Sequence, residues 1–145
     1  MKRALAVLGT CFLIVAGGIA CAVLVVWIYS TFFAPGRPLS EYQAFAQASA
    51  PIVSVIAGPV VTFLGVRQLV RNSEYREAVI LAAAVMVLYA VFDIIVLALA
   101  NPSLGIWGLA FLSLLLRTLA AWGATVYRPQ GKEAQPKATD LTNPR

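Results

Sequence analysis

The sequence predicts an all-α membrane protein whose four transmembrane helices pack as an antiparallel bundle with both ends in the cytoplasm (N-in/C-in). Three observations predict it. Apolar segments run over residues 4–33, 45–64, 78–100 and 104–126, each with about the 20 residues that cross a hydrocarbon core of roughly 30 Å as a helix. The chain is 61% hydrophobic and only 12% charged, where a soluble domain carries about 25% charged residues. Its mean hydropathy is +0.84, more apolar surface than a soluble core of this size can hide. Finally, the basic residues are sorted by loop. Lys2, Arg3, Arg67, Arg71, Arg76, Arg128, Lys132, Lys137 and Arg145 fall at the N-terminus, the middle loop and the C-terminal tail, against Arg37 alone in the first loop. Positive charge stays on the cytoplasmic side, which sets the orientation. The predicted spans are about 4–33, 45–70, 76–100 and 103–126, in one domain over 1–128, with a disordered cytoplasmic tail over 129–145.

The first helix follows Met1-Lys2-Arg3. That start, its apolar run and Gly18-Ile19-Ala20-Cys21 have the outline of a lipid-modified leader. The position three before the cysteine is Gly18, however, and the apolar run continues through Trp27, so an uncleaved span is expected. Cys11 and Cys21 are too far apart on one helix, about 15 Å, to bridge, and read as packing residues. Ala16, Gly17, Gly18, Ala20, Cys21 and Ala22 give small-residue spacings that admit a neighbouring backbone. Trp27, Tyr29, Phe32 and Phe33 form an aromatic belt at the outer interface.

Pro35, Gly36 and Pro38 stop that helix, and Ser40-Glu41-Tyr42-Gln43 reads as a capping box opening the second. Pro51 and Pro59 each remove a backbone donor and are expected to bend it. A packing seam is expected along Ala50, Ser54, Gly58, Pro59 and Thr62, joined by Ala57 and Gly65, because these small residues share one face. The competing reading is a transport path at a broken helix, where freed carbonyls meet a substrate. Arg67 and Arg71 suit the negative end of the second helix, and Glu74 and Glu77 the positive end of the third, with Asn72 and Ser73 as its caps. Asn101-Pro102 opens the fourth helix, and so short a link implies a tight hairpin. Past Pro129 the tail is polar and lacks aromatics, a composition that stays disordered.

One acid and one base lie inside the last two spans: Asp93 and Arg117. Counting from the hairpin link, Asp93 sits about 10 Å and Arg117 about 20 Å below the outer end. Side chains lean toward the N-terminus of their own helix, so in antiparallel neighbours these two lean toward each other. Tyr89 lies between them in depth, placed to bond the carboxylate or cover the guanidinium. Ala110, Ser113, Ala120, Ala121 and Ala124 share the arginine's face and leave it room; Leu112, Leu115 and Leu116 occupy the opposite one. The pair is expected either to neutralise itself and fix the hairpin register, or to act as a protonation or substrate site.

Several classes are disfavoured. The chain has no histidine, which removes histidine-ligated haem, the common zinc sites and a histidine base. It has no Cys-x-x-Cys pair and no phosphate-binding glycine loop. No catalytic, cofactor-binding or metal-binding residues are assigned, and no enzyme activity is expected. The basic tail, four charges over residues 128–145, is too dilute for a nucleic-acid partner. The pattern is that of small bacterial inner-membrane proteins. The sequence favours an accessory or scaffold subunit, in contact with the lipid bilayer and packed against itself or a larger membrane partner. The alternative is a small oligomeric transporter or channel that uses Asp93, Arg117 and the kinked second helix. A solvent-filled cavity reaching Asp93 would favour the second; a dry pair would favour the first.

Overall fold

A computed structural model describes residues 2–100 and 103–127. It is all-helical: α1 (Lys2–Ile28), a π-helical turn (Tyr29–Phe33), α2 (Leu39–Val70), α3 (Tyr75–Ala100) and α4 (Leu104–Val126). All four α-helices are long and apolar enough to cross a membrane. The Asn101-Pro102 cap and the tail over 129–145 lie outside the described residues. α4 opens at Leu104, where the Ser103 carbonyl accepts from the Ile106 amide at 3.0 Å.

The end of α1 departs from the expected regular helix. The Ala34 amide donates to the Tyr29 carbonyl at 3.0 Å, five residues back, which widens the last turn. Tyr29, one of the expected belt aromatics, turns toward the neighbouring helix. Its ring stacks on Phe45 of α2 with centroids 3.8 Å apart, while Trp27, Phe32 and Phe33 stay exposed.

The expected capping box does not form. α2 starts at Leu39, its N-cap is Pro38, and no side chain caps it. Because the cap position falls two residues earlier, at Pro38, Ser40 sits inside the first turn, where it cannot act as the cap. Glu41 instead accepts from Arg37 Nη1 at 2.7 Å, which pushes the Arg37 pKa further up. The Tyr42 hydroxyl ties the loop to the helix: it donates to the Ala34 carbonyl at 2.7 Å and accepts from the Arg37 amide at 3.0 Å. At the start of α3, the Glu74 carbonyl accepts from the Ala78 amide at 2.8 Å.

α2 is the long member, 32 residues, or about 48 Å at helical rise, against a hydrocarbon core of roughly 30 Å. It runs unbroken through Pro51 and Pro59, so the broken-helix geometry is not formed. It packs most extensively against α4 and then α1. Close approach to α1 depends on two glycines. A methyl on Gly17 would meet Val61 Cγ1 at 2.7 Å, and one on Gly65 would meet Ile14 Cγ1 at 3.2 Å. Gly18 faces open space, so only part of the expected small-residue face of α1 is a seam.

Packing is uneven along the bundle. The core joins Cys11 and Ile14 of α1, Val66 and Val70 of α2, Ala78 to Tyr89 of α3, and Ala121 and Ala124 of α4. No residue is buried over 39–57 of α2, 90–99 of α3 or 104–112 of α4. One half of the bundle holds the buried core, and the other half of α2, α3 and α4 contributes nothing to it.

Candidate functional site

The boundary between these halves carries the polar residues. On α4 the buried stripe is Ser113, Arg117, Ala121 and Ala124, spaced by three and four so that it turns one face inward. Arg117 is 3% exposed. Its side chain reaches toward the N-terminal end of α4, as helical side chains do. Nε donates to Ser113 Oγ at 3.2 Å, one turn back on the same helix. Nη2 donates to Ser54 Oγ of α2 at 3.0 Å. The two serines close the network: their hydroxyls lie 3.1 Å apart, and Ser113 Oγ donates to the Ser54 carbonyl at 3.2 Å. The guanidinium carbon stands 4.5 Å from the centre of the Tyr89 ring of α3, over its face. This cation–π contact adds to the hydrogen bonds. The guanidinium rests on Gly58, where a side chain would collide with it. One arginine thus fastens three helices.

Two polar atoms in this region, Arg117 Nη1 and Thr62 Oγ1, are buried without a partner among the described residues. Buried polar groups nearly always find a partner, so this centre is less than fully satisfied.

Asp93 does not join the network. Among the described residues it forms neither an ion pair nor a hydrogen bond with Arg117; the direct pair expected from the sequence is not formed. The reason is geometric. Arg117 turns toward α2, where Gly58 leaves room and Ser54 accepts. Tyr89 is the last buried residue of α3 among the described residues and covers the guanidinium face. Asp93 lies one turn further on, beyond the buried core. There it lines a cleft of about 590 Å³ bounded by α2, α3 and α4. Gln47, Ser54 and Ser113 supply the other polar side chains, and Pro51, Leu97 and Leu109 belong to its apolar wall. Arg117 is not on that wall. The two serines stand between cleft and guanidinium, serving both.

The remaining seam residues divide along the same line. Gly58 and Thr62 are buried, Ser54 and Pro59 are half-buried, and Ala50 is exposed and lines the cleft. The sequence reading missed Gln47. Its signal is position: it shares a face with Ala50, Pro51 and Ser54, and it precedes Pro51 by four residues. Pro51 has no N–H to donate to the Gln47 carbonyl, so an acceptor is freed where the cleft begins.

Compared with protein-family models, with curated proteins and with solved structures, the chain matches none. What the site can do rests on its own chemistry. It offers a half-buried carboxylate and a carboxamide in a largely apolar cleft, backed by a positive charge held within the fold.

Proposed function

We propose that the chain is an inner-membrane protein with both ends in the cytoplasm that acts as a small oligomeric transporter or channel, admitting a solute through the cleft at Asp93. One observation carries the proposal: an intramembrane carboxylate without an ion-pair or hydrogen-bond partner among the described residues lines a cleft of about 590 Å³. A carboxylate at that depth is costly to keep unless it serves a pathway. This proposal puts the transport expectation ahead of the scaffold one. Orientation is supported by the loop distribution of basic residues. An antiparallel arrangement of α1 and α2 is supported by contacts that run in opposite order, with Ile14 against Gly65 and Gly17 against Val61. On that orientation the half that holds the core lies toward the cytoplasm and the cleft opens outward. No enzymatic activity is proposed.

The accessory or scaffold reading keeps one observation in its favour. Arg117 is used inside the fold, on Ser54, Ser113 and Tyr89, and a rigid centre suits a subunit that presents its outer faces to a partner. Accessibility separates the two readings. With Cys11 and Cys21 replaced by alanine, an Ala50→Cys variant is treated with a membrane-impermeant thiol reagent from the outer side. Reaction is expected for a water-filled cleft, with Ala82→Cys in the buried core as the unreactive control. Protection of Ala50→Cys would favour a cleft filled by lipid or covered by a partner.

A further inference from the structure

The cleft carries an argument about the sign and shape of what it binds; this step rests on the transport reading above. The first question is which charge faces a ligand. Arg117 is 3% exposed and is not on the cleft wall. Two of its nitrogens are taken by Ser113 and Ser54, so an anion entering the cleft meets serine hydroxyls whose oxygens already accept from the guanidinium. Those hydroxyls also contact each other and the Ser54 carbonyl, which leaves them little capacity for a ligand. On the cleft wall the groups with capacity to spare are the Asp93 carboxylate and the Gln47 amide; Arg117 Nη1, unpartnered among the described residues, is buried behind that wall. A carboxylate is an acceptor only, and the carboxamide adds one accepting oxygen beside its donating NH2, so the negative charge of Asp93 decides the sign. The complement is a donor that carries positive charge.

The second question is what else the ligand must have. Most of the wall is apolar, with Pro51, Leu97 and Leu109 among its members. A small hydrated metal ion would leave that wall uncovered, and no group of three or more metal-ligating side chains occurs among the described residues. An apolar body is needed to fill it, as in most small-molecule sites, where a few polar groups orient a largely apolar ligand. We propose that this cleft binds a monovalent lipophilic amine, its ammonium group on Asp93 and Gln47 and its apolar body against the wall formed by α3 and α4. A single carboxylate matches a single positive charge, and N–H donors match the acceptor set.

The test uses the full-length protein in lipid nanodiscs, with benzylammonium as the probe and benzyl alcohol and benzoate as neutral and anionic isosteres. Saturable binding is expected for benzylammonium, weaker by roughly tenfold or more in Asp93→Asn, the worth of about one charge-assisted hydrogen bond. Asp93→Glu is expected to retain binding, and Gln47→Ala to weaken it several-fold. Because Asp93 contributes no fastening contact, Asp93→Asn is expected to unfold at the parent's temperature, which separates lost binding from lost fold. Benzoate binding more tightly than benzylammonium would overturn the proposal by making Arg117 the attracting group. Equal binding of all three probes would overturn it by making the site merely apolar. Labelling of Ala50→Cys in the same preparation distinguishes the two levels. A reactive cysteine without amine binding defeats the ligand class and leaves the transport reading standing; an unreactive one defeats both.

Discussion

Placing a methyl group on Gly58 tests whether the arginine is the fastening of this fold. The added Cβ would fall within the guanidinium of Arg117, so the side chain must move. Elsewhere the end of a long side chain yields cheaply, but here it is pinned on three sides. Moving it breaks the bonds to Ser54 at 3.0 Å and Ser113 at 3.2 Å and lifts it from the Tyr89 ring. Polar contacts between helices in membranes are worth about 0.6–1.7 kcal/mol each, and a buried cation–π contact about 0.5–2 kcal/mol. Gly58→Ala is therefore expected to destabilise by about 2–5 kcal/mol on these scales. Reversible unfolding in mixed micelles, followed by far-ultraviolet circular dichroism, would read the loss. Gly9→Ala is the control, because its Cβ meets nothing within 4 Å. An Arg117→Met background supplies a second control: without the guanidinium, Gly58→Ala should cost less than about 1 kcal/mol, the signature of two coupled positions. If Gly58→Ala proved as mild as Gly9→Ala, the close seat of Arg117 on α2 would be wrong.

Two further outcomes follow from contacts away from the centre. Tyr42→Phe removes the hydroxyl that joins Ala34 and Arg37; a loss of about 1 kcal/mol and faster proteolysis within residues 34–38 are expected, and unchanged proteolysis would count against the tie. Arg3 and Glu77 form an ion pair at 2.8 Å in which the Arg3 side chain is 78% exposed. Glu77→Gln is accordingly expected to shift stability by less than about 1 kcal/mol, and the shift should vanish at high salt; a larger, salt-insensitive loss would mean that this pair is shielded from water.

The helices themselves were legible because composition and length act over 20 or more residues, and no local detail can override them. Bounds were less so. α2 was expected to open near Ser40 and starts at Leu39, whereas the apolar count begins at residue 45 because it registers only what lipid must cover. The capping box failed for a local reason, since Ser40 has the right neighbours but Pro38 takes the cap position. Asp93 and Arg117 stood out as the only charges within the last two apolar runs, yet their partners did not. Depth along a hairpin gives height on each helix and says nothing about rotation around it. Rotation decides that Arg117 faces Ser54 and Gly58, residues already marked as small and seam-forming but for an unrelated reason. The seam and the arginine are one feature. The ring contact of Tyr89 with the guanidinium was one of the two roles its position allowed. Gln47 went unnoticed because it is an ordinary polar residue until Pro51 and the cleft give it a role.

The central claim is that the two intramembrane charges have separate duties, with Arg117 fastening helices and Asp93 facing a cleft. A double-variant cycle of Asp93→Asn and Arg117→Gln, read as unfolding free energy in detergent, tests it most directly. Arg117→Gln is expected to destabilise by roughly 2 kcal/mol or more and Asp93→Asn by less than about 0.5 kcal/mol, with the double variant equal to their sum within about 0.5 kcal/mol. A double variant that recovers more than about 1 kcal/mol of the single losses would mean that the charges neutralise each other directly, and would contradict the account.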